Sequence, residues 1–255
     1  MDILTYIIAI IGGFFAGIVN TLAGNGSAIT LSIFTELFGL PGNLANGTNR
    51  VGILFQSCSS SYGFIKNGRV NKLPYTWLYI MLATIGSIIG VIAALSVSNE
   101  QFEEVFKYLL LIMLLVVLIN PKRWLVKTDI HKKPNLYLAI PAFLGLGFYG
   151  GFIQMGMGVF FLIITVLFMK INIIDANALK TVIVALYTTL VVIIFHINGM
   201  IEWRLGLTVA LGQTIGGYIA ADQASKYPNA DIWAYRLLIF VIIAAILSAF
   251  NIIAL

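Results

Sequence analysis

Two cations lie inside apolar runs of this chain, Arg50 and Lys180, each about six residues into its segment. An ionised side chain at the centre of a membrane helix costs about 2.5–3.5 kcal/mol on insertion scales, so it faces a cavity or a partner. The residues near them in sequence are neutral hydrogen-bonding groups. Asn20, Asn25, Asn46, Thr48, Asn49, Gln56 and Ser57 accompany Arg50; Gln154, Asn177, Thr181 and Tyr187 accompany Lys180. Neutral donors with one or two fixed cations suit a small anion that must bind and then leave. The competing reading is snorkelling: six residues are only about 9 Å of helix, and a long side chain reaches the interface from there.

The segments that position these residues are interrupted by glycine. Gly24-Asn25-Gly26-Ser27 has a second copy, Gly156-Met157-Gly158-Val159, 132 residues later. Asn67-Gly68 pairs with Asn198-Gly199, and Ala45-Asn46 with Ala176-Asn177, both at an offset of 131. Three anchors at nearly one spacing indicate a duplicated unit, and matching glycine-broken segments in two halves point to a transporter binding site. A break inside a membrane is tolerated only against protein or a wet cavity. The short arms beginning at Ser27 and Val159 are expected to aim positive helix N-termini into that cavity. The alternative role of glycine is close helix packing, as expected for Gly13/Gly17, Gly86/Gly90 and Gly212/Gly216. The candidate substrate-binding set is therefore Asn20, Asn25, Gly26, Ser27, Asn49, Arg50, Gln154, Met157, Gly158, Lys180 and Tyr187.

Composition supplies the setting. Hydrophobic residues make up 60% of the chain and charged residues 10%, against about 25% charged in soluble domains. With mean hydropathy at +0.99, the chain reads as an all-α polytopic membrane protein with about 8–10 membrane segments. The single cysteine, Cys58, excludes an intrachain disulfide and a cysteine-rich metal site. No basic stretch precedes the first apolar run, which is read as a retained helix.

Lys66, Arg69 and Lys72 crowd one loop; Lys122, Arg123, Lys127, Lys132 and Lys133 crowd another. The positive-inside rule places both in the cytoplasm and the N-terminus outside. It also gives a topological meaning to the net charge of +5, which calls for no nucleic-acid partner. Counting segments then puts Asn198-Gly199 opposite Asn67-Gly68, which makes the halves inverted repeats. The first covers 1–95 and the second 136–255, joined by a helix and basic loop over 96–135. Segments 27–39 and 158–170 are too short for a confident span and are read as broken or re-entrant limbs. Trp77, Trp124, Trp203 and Trp233 fall near segment ends, as interfacial anchors do.

Read in order, these motifs resemble the TauE/SafE family of membrane anion exporters. The residues carrying the resemblance are Gly17, Ala23-Gly24-Asn25-Gly26, Ala45-Asn46-Gly47-Thr48-Asn49-Arg50 and Asn67-Gly68-Arg69-Val70. The second half adds Gly147 to Phe152, Gly156-Met157-Gly158, Phe195 with Asn198-Gly199, and Ala210-Leu211-Gly212-Gln213 before Gly216-Gly217. The sequence departs from the family pattern over Ile153 to Gly158 and near Tyr187. The resemblance implies export of a small sulfur-containing or carboxylated anion across a plasma (inner) membrane, by a proton-linked or potential-driven route. A non-transporting membrane subunit and a passive anion channel are the alternatives, and a homo-oligomer is compatible with either. No metalloprotease motif, nucleophile elbow or P-loop is present, so neither catalytic nor metal-binding residues nor a cofactor are expected. Glu36, inside a membrane arm, and His196, near a helix end, are the remaining candidates for a proton site.

Overall fold

The computed structural model describes residues 2–69, 75–96 and 135–249, with isolated positions between 111 and 128. The loop residues Lys72, Lys122, Arg123, Lys132 and Lys133, and most of the joining stretch 96–135, lie outside the described residues. Within them the chain is helical throughout: α1 (Ile3–Leu22), α2 (Gly26–Ser32), α3 (Gly42–Lys66), α4 (Thr76–Ala94), α5 (Leu136–Phe152), α6 (Met157–Leu162), α7 (Ile173–Ile197), α8 (Trp203–Lys226) and α9 (Ala230–Ala249). α2 and α6 run on as π-helical turns, Ile33–Leu37 and Ile163–Phe168. Of these helices α1, α4 and α7 are long and apolar enough to cross a membrane on length and composition alone.

The element order repeats. The end of α1, α2 with its π turn, and α3 are followed 130 to 131 residues later by the end of α5, α6 with its π turn, and α7. Each unit breaks the same way. α1 stops because Gly24 turns left-handed (φ +83°) and donates its N–H to Val19 O, five residues back, at 3.0 Å. In the second unit the equivalent residue is Gln154 (φ +72°), whose N–H reaches Tyr149 O at 3.2 Å. The sequence aligned Gly24 with Gly156, two residues away. Gly156 is left-handed too (φ +74°), but it opens α6; the helix-ending turn itself falls on Gln154, and the second break is one residue longer than the first. A left-handed non-glycine costs about 1–2 kcal/mol, so Gln154 is held there by its surroundings. Both arms end alike too, with Gly39 (φ +67°) and Lys170 (φ +62°) turning the chain into α3 and α7.

Glycine sets the packing between helices. A Cβ on Gly13 or Gly17 of α1 would overlap the backbone of Val209 or Gln213 in α8, and one on Gly212 or Gly216 would overlap Ile10 or Phe14. α4 and α5 meet in the same reciprocal way through Gly86, Gly90, Gly147 and Gly151. Without a Cβ the backbones touch, which in lipid replaces the hydrophobic drive with dispersion.

α3 and α7 cross the interior antiparallel. Arg69, past the end of α3, pairs with Asp175 at the start of α7 (3.5 Å). At the other end Thr48 Oγ1 accepts from Glu202 N, beyond the end of α7, at 2.9 Å. Large apolar side chains such as Ile11, Phe15, Trp77, Met81 and Phe240 face outward, as a lipid-facing surface requires. Trp203 and Trp233 share that exposure, whereas Trp124 is fully buried and stacks on Tyr235 at 5.8 Å. Trp124 is thus a core residue, and the expectation of an interfacial anchor there was wrong.

The glycine contacts make a direct prediction. Gly90→Ala places a methyl into the Phe148 carbonyl, whereas Gly145→Ala meets nothing within 4 Å. Overpacking of this kind costs about 1–3 kcal/mol. Thermal denaturation in detergent is expected to show a midpoint about 5 °C lower for Gly90→Ala and no loss for Gly145→Ala.

Candidate functional site

Breaking α1 and α5 inside an apolar protein leaves their last carbonyls without intrahelical donors. Both ends are closed from the opposite half by the same device. Lys180, on α7, donates to Asn20 O (2.9 Å) and Thr21 O (3.1 Å) of α1. Its third donor goes to Asn177 Oδ1 at 2.6 Å, and Asn177 Nδ2 in turn donates to Leu22 O at 2.9 Å. Arg50, on α3, donates to Gly150 O and, at 3.2 Å, to Gly151 O of α5. It also reaches Asn46 Oδ1 at 3.2 Å, and Asn46 Nδ2 donates to Phe152 O at 3.2 Å. Asn20, Thr21 and Leu22 correspond to Gly150, Gly151 and Phe152 at an offset of 130. α3 and α7 are offset by 131 at both ends, so Lys180 stands opposite Asn49, as the sequence spacing has it, and takes the role of Arg50 from one position away.

Neither cation snorkels: Arg50 is 0% exposed and Lys180 3%. Nor is either in an ion pair; the salt bridges among the described residues are Arg69–Asp175 and Lys226–Asp222. Their compensation comes from helix C-termini, where a cation is worth up to about 2 kcal/mol in partly buried geometry. Each site thus keeps a positive charge whose counterweight is dipolar.

A small cavity opens beside Lys180. Asn20, Gln56, Gln154, Met157, Gly158 and Lys180 line it, with Ser57, Thr181 and Val184 completing the wall. Its volume is ≈ 10 Å³, about the space one water centre needs. No acidic side chain lines it. Gly158, in its wall, packs directly on Gly24, since a Cβ on either would overlap the backbone of the other. The two broken segments therefore meet backbone to backbone, which only glycine permits.

Amides order the walls. Asn20 Nδ2 donates to Gln56 Oε1 (2.7 Å), and Gln56 Nε2 is shared between Thr21 Oγ1 (2.8 Å) and Ser60 Oγ (2.9 Å). Gln154 Oε1 accepts from Arg50 at 2.8 Å and from Tyr187 Oη at 2.9 Å. That leaves the Gln154 amide between the arginine and the cavity.

Of the residues singled out in the sequence, Asn20, Gln154, Met157, Gly158 and Lys180 border this cavity. Arg50 and Tyr187 lie one shell out, joined to it through Gln154. Asn25, Gly26, Ser27 and Asn49 are buried but do not line it; Asn49 Oδ1 accepts from Thr30 at 2.6 Å, and Gly26 packs on Ala16 and Asn20. Gln56, Ser57 and Thr181 are the polar wall residues missing from that set, and Val184 the apolar one; the polar three follow from position. They sit one or two turns along α3 and one residue beyond Lys180, a helical spacing readable once the cation is taken as the centre. Asn46 and Asn177 belong to the clamps instead. Glu36 is exposed, and His196 is exposed with Nδ1 accepting from Trp203 Nε1 at 3.1 Å. Both are remote from the cavity.

A polytopic helical chain with broken helices meeting around an enclosed polar cavity has the build of a membrane transporter. Residues 9–250 match the family described as Sulfite exporter TauE/SafE, and the chain belongs to that family. It is 27% identical over 214 residues to a probable membrane transporter protein of Haemophilus influenzae, covering 83% of this chain and 82% of that one. A probable membrane transporter protein ORF9 of a Sinorhizobium species is 25% identical, with 84% and 81% covered. The probable membrane transporter protein YfcA of Escherichia coli K12 is 26% identical, with 79% and 74% covered. No solved structure matches the chain.

The planar fork of Arg50 serves four acceptors at fixed angles, which an ammonium cannot reproduce. Arg50→Lys is therefore expected to lose about 2 kcal/mol or more, the worth of one hydrogen bond to a charged group. A detergent melt should show it, and an unchanged midpoint would remove Arg50 from the clamp.

Proposed function

We propose that this protein is a secondary transporter that exports a small anion, such as sulfite, an organosulfonate or a related organic acid, across the inner membrane. The observation that carries the reading is the Lys180 ammonium at a cavity walled by the amides of Asn20, Gln56 and Gln154, with no acidic side chain among them. The cavity has room for about one water, so an anion enters as the broken helices part and Lys180 gives up a carbonyl; it then gains from a charge whose other partners are dipoles and loses little by leaving because its remaining contacts are neutral. The family match and the printed names of the relatives support transport. The enclosed cavity favours a carrier over a passive channel.

In the same reading 1–95 and 136–255 are inverted repeats across the bilayer, linked by 96–135, with the N-terminus outside. The antiparallel course of α3 and α7 supports this, because equivalent helices of inverted units run in opposite directions. The end that carries Lys66 and Arg69 then faces the cytoplasm.

Proteoliposomes test the function. Radiolabelled sulfite or methanesulfonate should accumulate when a pH gradient or membrane potential is imposed. A passive channel would equilibrate the label without accumulation, and a non-transporting subunit would give no flux. Lys180→Gln removes the charge and part of the α1 cap, so it should lower the detergent melting point and, in the protein that remains folded, weaken apparent affinity at least about tenfold, a loss of about 1.4 kcal/mol. Affinity equal to wild type would move the anion away from this cavity.

Orientation is tested separately in a Cys58→Ser background. A cysteine replacing Asn198 should react with an impermeant maleimide in intact cells, and one replacing Lys66 should not. Labelling of both from one side contradicts the inversion.

A further inference from the structure

Arg50 and Lys180 do not hold the broken helices unaided. Asn46 and Asn177 each present both faces of a carboxamide, the oxygen to the cation and the nitrogen to the last carbonyl of the broken helix. A carboxamide offers an acceptor and a donor on separate atoms; a carboxylate cannot donate, and a serine hydroxyl carries both roles on one atom too close to the backbone to span the two partners. Each bridge crosses between the halves. Asn46–Arg50 ties α3 to the end of α5, and Asn177–Lys180 ties α7 to the end of α1. Because α3 and α7 are antiparallel, the bridges stand at opposite ends of the pair. The Asn177 bridge is near the Arg69–Asp175 end and the Asn46 bridge near the Glu202 end.

We infer that Asn46 and Asn177 are positioning residues of the transport cycle, each holding closed one of two gates. Both bridges are made in the structure, and the cavity between them is enclosed. Opening toward the Arg69–Asp175 end requires Lys180 to release the carbonyls of α1. Opening toward the Glu202 end requires Arg50 to release those of α5. The packed pairs α1–α8 and α4–α5, locked by backbone contact, move as blocks while the bridges break. An anion beside Lys180 competes with Asn20 O and Thr21 O for its donors, so occupancy acts on the gate at that end. The gate assignment does not depend on which solute the protein carries.

Sidedness of access tests it without a substrate. In Cys58→Ser, a Ser57→Cys reporter lines the cavity and is probed with impermeant maleimide in right-side-out and inside-out vesicles. Asn177→Ala is expected to speed labelling about tenfold from the Arg69–Asp175 face only, the change produced by weakening one closed state by about 1.4 kcal/mol. Asn46→Ala should do so from the Glu202 face only. Acceleration from both faces alike, or from neither, overturns the gate assignment, because a merely structural asparagine has no sidedness. Should either variant lose its monodisperse elution, Asn→Ser at the same position removes the bridge with less loss of volume, and the same criterion applies. Absence of anion flux would overturn the proposed substrate class while leaving this result standing.

Discussion

Everything in this fold follows from the need to satisfy the carbonyls at two helix ends that stop inside an apolar protein. An exposed helix end is hydrated; a buried one must find donors within the protein or lose several kcal/mol for each group left bare. The donors here are a lysine with an asparagine and an arginine with an asparagine, each reaching in from the other half. A cation is a better cap than a neutral donor because it also meets the negative end of the helix dipole. The arrangement binds the halves together at the cost of burying two charges. That cost is lowered by the dipoles and not cancelled, so the interior stays electrostatically biased toward an anion.

The glycines divide into two kinds with different consequences. Gly13 and Gly17 of α1, Gly86 and Gly90 of α4, Gly147 and Gly151 of α5, and Gly212 and Gly216 of α8 sit at helix crossings, where a methyl would strike a carbonyl of the neighbouring helix. They make two tight helix pairs that have little freedom to slide. Gly24 and Gly158 instead face each other at the tips of the broken segments. Their contact is small, so separating it costs little dispersion energy. Rigid pairs around a weak central contact concentrate motion at the boundary between halves, where the cations and asparagines lie.

Much of this was legible in the sequence. Sixty per cent apolar composition and the run lengths gave helices, and the recurring Gly-x-Gly and Asn anchors gave the duplication. The glycines at 13, 17, 86, 90, 212 and 216 were readable as packing residues because their spacing of four puts pairs on one helix face. The register of the second break was not legible. Gln154 takes the left-handed conformation that glycine takes in the first half, and residue type gives no sign of it. The capping partners were hidden as well: Arg50 and Gly150 are a hundred residues apart, and nothing local to either specifies the other. Trp124 was misread because a tryptophan beside a basic loop has the same sequence signature whether it anchors at lipid or fills a core.

The two clamps use one device in slightly different register, with Asn46 four residues before Arg50 and Asn177 three before Lys180, and the residues beside them differ in a way that opens space at only one of the two cations. In the first half Asn20 projects from the end of α1 and meets Gln56 of α3. The matching pair in the second half is Gly150 and Tyr187. With no side chain at Gly150, the Tyr187 hydroxyl comes down over its backbone and bonds to Gln154. The phenol ring, fully buried, thus fills beside Arg50 the space that stays partly open beside Lys180. Phe195 covers the guanidinium from another side at 5.7 Å. Two equivalent charges therefore have unequal access: the lysine borders polar space, while the arginine is sealed by aromatic rings. Similar anchors hold both broken helices, and the four residues Asn20, Gln56, Gly150 and Tyr187 make the difference that puts polar space beside the lysine and an aromatic seal beside the arginine.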